Sequence, residues 1–398
     1  MQDLSGYFEG FIKKNSIFVN KKVLLPSYCP EKILHREKQI EDIAKILAPS
    51  LKLEKPSNLF IYGKTGTGKT VTVRHVLSNL MSVSKKNNIP LKLVYVNCKL
   101  KKIADTEYRV VAQLAREFGK EIPTTGLPTD EVYNVLFNAI EKERGVIIIV
   151  LDEIDQLIKK TGDEILYNFT RIDSELKNTL LSIVGISNDL FFLNNLDPRV
   201  KSSLSEEEIV FEPYNAIQIQ DILRTRVSEV FEEGVLAEGV IEKCAAYAAR
   251  DHGDARRAIE LLRVAAEIAD RTNQKNIRIE HVDEAEEKIE RDTVFYVIDN
   301  QPKQYQLTLF ALFSLNNQST VYTGDIYSYY KKLCVKAGLR PLTQRRISDI
   351  LAEFDMLGLI TAKVVSKGRY GRTREINLSI PNTIKQTIFA SLKNNLGL

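Results

Sequence analysis

The chain has 398 residues, 44% of them hydrophobic and 27% charged, a balance that excludes fibrous and low-complexity proteins and leaves room for two or three cores. Of its 56 Lys and Arg and 52 Asp and Glu, 14 and 5 lie from residue 301 onward, so a C-terminal part at +9 follows a body of 42 against 47, or −5. Four scattered cysteines (Cys29, Cys98, Cys244, Cys334) exclude a paired zinc motif or a disulfide scaffold, and the longest apolar run, VIIIVL at 146–151, is too short to span a bilayer.

In chain order, residues 1–25 mix aromatics with lysines and read as an arm or short helix. REKQIEDIAKIL (36–47) sets Ile40, Ile43, Ile46 and Leu47 on one helical stripe. NLFIYG (58–63) is a buried strand, TVTVRHVLSNLMSV (70–83) a helix, and LKLVYVN (91–97) a strand. Helices over 107–119 and 130–143 flank the turn PTTGLP (123–128), and VIIIVLDEID (146–155) is a buried strand ending in acids. LLSIVGISN (180–188) and EEEIVFEPY (206–214) complete the set. Nearly all-apolar strands alternating with helices predict an α/β parallel sheet covered on both faces. From 216 to 290 only helical patterns follow, a small helical domain, and NQPKQYQ (300–306) reads as a polar linker. Helices at 307–315, 324–334 and 343–357, then two strands around a basic turn over 361–380, close the chain. The expected domains are 1–215, 216–299 and 300–398.

GKTGTGKT (63–70) matches a phosphate-binding loop between a strand and a helix. Gly63, Gly66 and Gly68 let backbone N–H groups close around phosphates, Lys69 reaches the outer phosphates, and the Thr70 hydroxyl ligates Mg²⁺. In LDEID (151–155), Asp152 at the strand end holds the magnesium shell, and Glu153 orients or deprotonates an attacking water. Asn188, ending the next strand, is either a turn former or a side chain between magnesium and γ-phosphate that positions water. In GDAR (253–256), Asp254 caps a long helix. Arg256 on its first turn either reaches the γ-phosphate or is solvated, and Arg257 faces solvent on another side.

Phosphate loop, acidic strand, Asn188 and GDAR follow the order of AAA+ ATPases: two Walker elements, first sensor, second sensor. YCPEKILHREKQI (28–40), DPRVKSSLSEEEIVFEPY (197–214), HGDARRAIELLR (252–263) and TQRRISDILAEFDMLGLITAKVVSKGRYGRTREI (343–376) narrow the match. The chain resembles, over nearly its whole length, the archaeal origin-recognition and cell-division-cycle type replication initiators. The resemblance implies an AAA+ P-loop domain with a helical lid followed by a winged helix. It implies ATP or ADP with Mg²⁺, bound by Thr67, Gly68, Lys69, Thr70 and Val71, with Tyr214 and Arg226 also touching nucleotide and the HRE segment (35–37) walling the adenine. In eukaryotic relatives an arginine finger stands where this chain has Ser203. Arg199 remains, and slow turnover by a monomer or a DNA-bound pair is the expectation.

Residues 307–380 fit a winged helix. Thr343, Gln344, Arg345 and Arg346 begin its third helix, the turn that helix-turn-helix proteins present to the major groove. SKGRYGRTREI (366–376) is the wing: Lys367, Arg369, Arg372 and Arg374 face phosphates or a minor groove, and Tyr370 packs on sugar. Thr125 and Gly126 lie in an insertion that, by the resemblance, touches DNA; read locally, TTGLP is an ordinary turn between helices. The expectation is an ATP-dependent initiator, a slow ATPase, in the cytoplasm on the nucleoid. It binds double-stranded origin DNA beside a second initiator and recruits the replicative minichromosome-maintenance helicase. The rivals are another DNA-associated AAA+ ATPase of clamp-loader type and a nucleotide-regulated transcription factor.

Overall fold

The computed structural model describes residues 16–26, 28–99, 106–123, 126–192, 196–204, 206–315, 321–366, 372–380 and 382–398. They form two compact units, 1–282 and 283–398.

The first unit is organised by five parallel strands: β1 (Asn58–Gly63), β2 (Leu91–Asn97), β3 (Gly145–Asp152), β4 (Thr179–Ser187) and β5 (Glu206–Phe211), in the spatial order β2-β3-β4-β1-β5. Period-2 alternation sends side chains to two cores. Leu59, Ile61, Val146, Ile148 and Val150 pack under helices Glu37–Leu47 and Lys69–Lys86. Phe60, Tyr62, Ile147, Ile149 and Leu151 pack under Glu107–Glu117, Thr129–Ile140, Ile154–Thr161 and Glu164–Glu175. The inner strands β1 and β3 are almost wholly apolar because both of their faces are covered, whereas the edge strand β5 opens with three glutamates and is exposed over part of its length. The order sets the C-terminal ends of β3, β4 and β1 side by side, the edge where parallel sheets bind ligands. Residues 16–25 hold the short 3₁₀ turn Lys21–Leu24. After β5, helices Ala216–Val230, Val240–Arg250 and Ala255–Arg271 form the helical region, the first opened by an Asn215–Gln218 capping box.

The second unit has helices Lys303–Leu315, Thr323–Lys336, Gln344–Met356 and Asn382–Leu396. Its antiparallel sheet runs β6 (Val321–Tyr322), β8 (Arg372–Leu378), β7 (Ile360–Ser366). Ile347, Ile350, Leu351 and Phe354 are buried, as their helical spacing required.

The linker expected at 300–306 is not one. Helix Lys303–Leu315 starts inside it, and the buried Gln306 amide donates to the carbonyls of Ile298 and Gln301. A polar residue turned inward to cap an ending helix reads, in composition alone, as a loop. Helices 154–161, 164–175, 198–204 and 382–396 were not foreseen. The last carries Ile384, Ile388, Leu392 and Leu396 at four-residue spacing, a signal the sequence did offer. The boundary expected at 299 falls at the end of helix Ile279–Asp299, whereas the compact units part at Val282, inside that helix. None of the four cysteines is joined in a disulfide. Among the described residues no helix is long and apolar enough to cross a membrane.

Candidate functional site

The loop 64–68 leaves β1 and turns into helix Lys69–Lys86 through two glycines with left-handed backbone, Gly66 (φ +71°) and Gly68 (φ +91°). Both are also close-approach positions. A Cβ on Gly66 would lie 1.7 Å from Asp254 Oδ1, and one on Gly68 2.7 Å from the Tyr214 hydroxyl. Only glycine satisfies both the φ and the space.

Lys69, 5% exposed, donates Nζ to the carbonyls of Gly63 (2.7 Å) and Lys64 (2.7 Å) and to Asn188 Oδ1 (2.9 Å). Burial, with the Arg256 cation adding to it, brings its pKa down to about 8, against the pull of Asp152, Glu153 and Asp155. Thr70 Oγ1 donates to Asp152 Oδ2 at 3.1 Å. A hydroxyl and a carboxylate at that separation are the hard oxygen donors that Mg²⁺ takes beside phosphate. Glu153 follows with φ 57°, ψ 42°, a left-handed conformation that costs a non-glycine residue about 1–2 kcal/mol. Its carboxylate has Lys99 Nζ at 3.6 Å.

Arg256 lies exposed on the first turn of Ala255–Arg271, and Asp254 caps that turn by accepting from the Arg256 N–H at 2.8 Å. Ala255 N–H donates to Gly66 O at 3.3 Å, fastening this helix to the phosphate loop. Gly66, Thr67, Gly68, Lys69, Thr70, Asp152, Glu153, Asn188 and Arg256 thus surround one small cleft. Arg257, expected in solvent, is the more buried of the two arginines and sits 3.9 Å from Asp251. The helix turns its second arginine inward because Asp251 closes the preceding helix beside it.

Next to the cleft a cavity of about 390 Å³ opens, sharing Gly66, Gly68, Thr70 and Arg256 with it. Leu24, Ile33, Val71, Tyr214, Ile222 and Ile259 give it apolar walls of the kind a purine needs. Arg226 lines it as well, donating to Val23 O (2.9 Å) and lying 4.4 Å from the Tyr28 ring centroid.

Two residues, Asp155 and Tyr95, escaped the sequence reading, and a third, Arg36, expected with the rest of the HRE segment (35–37) to wall the adenine, takes another role: none of the three lines either cavity. Arg36, buried, donates to Thr67 O (2.9 Å), Glu212 O (2.6 Å) and His35 O (3.2 Å), and lies 3.8 Å from the Tyr214 ring centroid. It braces the phosphate loop against the end of β5, and is absent from the residues lining either cavity. Buried Asp155 accepts the Asn188 N–H at 3.2 Å and Ser187 Oγ at 3.4 Å, fixing the end of β4. Tyr95 on β2 donates its hydroxyl to Asp152. The third acid of LDEID, after Ile154, was the available signal for Asp155; Arg36, flanked by His35 and Glu37, offered none for its bracing role. Ser203 Oγ donates to Val200 O (2.9 Å), and Arg199, 85% exposed, is held by both oxygens of Asp197.

In the second unit, Thr343 caps helix Gln344–Met356 by accepting from Arg346 N–H, and Gln344, Arg345 and Arg346 are all exposed on its first turn. Arg346 donates to the Tyr305 hydroxyl at 2.9 Å. Arg374 donates to Ser348 O at 3.2 Å, tying β8 to that helix rather than reaching outward. Arg372 opens β8, paired with Ser366. Lys367, Arg369, Tyr370 and Thr125 lie outside the described residues, and Gly126 is exposed with φ +112°.

Three family models match the chain: an ATPase domain predominantly from Archaea over 33–204, a Cdc6 AAA+ ATPase-type lid domain over 220–287, and the CDC6 C-terminal winged helix domain over 296–386. An ORC1-type DNA replication protein of Thermococcus onnurineus is 54% identical over 383 residues, 95% of this chain and 92% of that one. ORC1-type DNA replication protein 1 of Methanosarcina mazei is 51% identical over 384 residues, 96% and 92% of the two chains. Among solved structures, the Aeropyrum pernix ORC1 protein in complex with DNA superposes with a TM-score of 0.86 at 46% identity, over 95% of this chain and 98% of that one. An AAA+ ATPase domain, a lid and a winged helix in one chain, matched over more than nine-tenths of its length by such relatives, place this protein in the family of ORC1-type DNA replication proteins.

Proposed function

We propose that the chain is an ATP-dependent initiator that binds duplex origin DNA through its winged helix, with nucleotide held between sheet and lid. One observation carries the reading: the ends of β1, β3 and β4 and the start of the lid helix 255–271 bring Lys69, Thr70, Asp152, Glu153, Asn188 and Arg256 to a single cleft, in a chain that also bears a basic winged helix.

On this reading the purine enters the apolar cavity and the phosphates lie over the loop. Lys69 exchanges its loop carbonyls and Asn188 for phosphate oxygens. Thr70 and Asp152 hold Mg²⁺, which neutralises charge on the outer phosphates when bound. Glu153 takes the proton of a water that Asn188 helps to place. Arg256 belongs to the lid, so contact with a γ-phosphate ties lid position to the nucleotide state. With Ser203 in place of a cation, nothing at that position offers a charge to a neighbouring subunit's nucleotide, and turnover is slow.

DNA is gripped by the exposed first turn of helix 344–356 and by the wing, with the loop at Thr125 and Gly126 as a second contact. The family resemblance extends the proposal to a second initiator on adjacent DNA, to recruitment of the minichromosome-maintenance helicase, and to action in the cytoplasm on the nucleoid. The relative in the DNA complex supports the DNA part.

The test is competition between chromosomal origin duplex and random duplex of equal length near physiological salt, with ATP present. The expected preference is about 10³-fold or more. Equal affinity with a steep salt slope would assign the chain to clamp-loader-like ATPases. A preference for promoters over origins would make it a transcription factor.

A further inference from the structure

Tyr95 lies on β2, outside every role assigned above. Its hydroxyl donates to Asp152 Oδ2, the oxygen that Thr70 Oγ1 approaches to 3.1 Å. Asp152 is 3% exposed, so water does not complete its shell. Two hydroxyls from two elements, a neighbouring strand and the phosphate-loop helix, therefore converge on one carboxylate oxygen; Thr70 Oγ1 also lies 3.4 Å from Oδ1, so the tyrosine bond is the one that a turn of the carboxylate plane breaks. The phenol is itself fixed. The β2–β3 register sets Tyr95 opposite Val150, one pleat before Asp152, and the Arg74 guanidinium lies 4.4 Å from its ring centroid.

We propose that Tyr95 is a positioning residue for magnesium: it holds the Asp152 carboxylate in the orientation in which that carboxylate meets the cation of a bound Mg-nucleotide. The inference rests on the nucleotide reading of the cleft. Outer-shell hydrogen bonds of this kind set how well a ligand carboxylate is oriented before the metal arrives. Without the tyrosine hydroxyl the carboxylate keeps Thr70 alone and gains rotational freedom, which it must give up again whenever the cation binds.

Tyr95→Phe removes one oxygen and keeps the ring. The measurement is binding of a non-hydrolysable ATP analogue to the full chain, titrated with Mg²⁺ and repeated in EDTA, alongside the thermal midpoint of the nucleotide-free protein. The expected result is about tenfold more Mg²⁺ at half-saturation, with the EDTA affinity unchanged. An unchanged Mg²⁺ requirement overturns the inference. So does equal weakening with and without Mg²⁺, which marks Tyr95 as packing alone. If the wild-type chain gains no affinity from Mg²⁺, the nucleotide reading of the cleft falls first and Tyr95 with it. A wild-type gain preserved in the variant removes Tyr95 only.

Discussion

In the nucleotide cleft Lys69, Asp152 and Asp155 are buried and bonded to polar neighbours within it: Lys69 to Asn188, Asp152 to Thr70 and Tyr95, Asp155 to the Asn188 backbone. In the winged helix Gln344 and Arg345 stand exposed on a helix turn, while Arg346 and Arg374 are tied back to their own domain. A buried network answers to its neighbours, so one substitution changes several groups at once and solvent screens little of it. Exposed cations answer to the partner and to salt, and their effects are nearly independent of one another. The two regions therefore fail differently when altered, and each substitution below tests that contrast.

The largest effect is expected at Glu153. Glu153→Gln keeps the size and the left-handed backbone and removes the base, so ATP turnover falls by about 10²–10⁴-fold while ATP affinity and DNA affinity stay as they were. Single-turnover hydrolysis beside equilibrium binding decides it. Turnover at the wild-type rate would strip Glu153 of its role and leave its strained backbone without a purpose.

Next comes Arg345. Arg345→Ala should weaken origin binding by about 1–3 kcal/mol if it reads a base edge, relaxing preference at one position, or lower the salt slope by about one if it meets phosphate. Nucleotide affinity should not move. Arg372→Ala should act in the same direction, whereas Arg374→Ala should also lower the melting temperature, because its guanidinium holds Ser348 O. Equal losses at Arg345 and Arg374 without any change in melting temperature would erase the distinction between outward and braced cations.

The contrast also explains what could be read from the sequence. The sheet was legible because its inner strands, buried on both faces, leave little but Val, Ile, Leu and Phe to choose from. The phosphate loop was legible because its glycines answer a steric demand that no other residue meets. The role of Arg36 was not: placed with the HRE segment at the adenine, it instead holds three carbonyls contributed by residues 35, 67 and 212, and no local pattern announces a contact across 176 positions. Arg257 was misjudged for a related reason, since a helical wheel does not say which side the preceding helix's Asp251 occupies. On the DNA side the charge surplus was plain, but not its division of labour. Arg374 and Arg345 look alike in a string of letters, and only the pairing of β8 with the neighbouring helix separates them.

The smallest effect, and the sharpest probe of burial, is the pH dependence of nucleotide binding. Without nucleotide Lys69 releases its proton near pH 8 rather than at the usual value of about 10.4, chiefly because it is buried and secondly because Arg256 is close. Phosphates favour the charged form. Below pH 8 the lysine is already protonated and affinity should be flat. Above it each binding event must take up a proton, so affinity should fall toward tenfold per pH unit. The linkage has the opposite sign for folding: the unfolded chain keeps this proton longer, so the penalty of burying the cation fades as pH rises through the same window. Lys69→Met should bind weakly at every pH and show no break. Arg256→Ala should move the break upward, because a neighbouring positive charge no longer opposes protonation. A wild-type profile that stays flat to pH 9.5 would mean that Lys69 is solvated like the exposed arginines of the winged helix. The two regions would then differ in their bonds and not in their electrostatics.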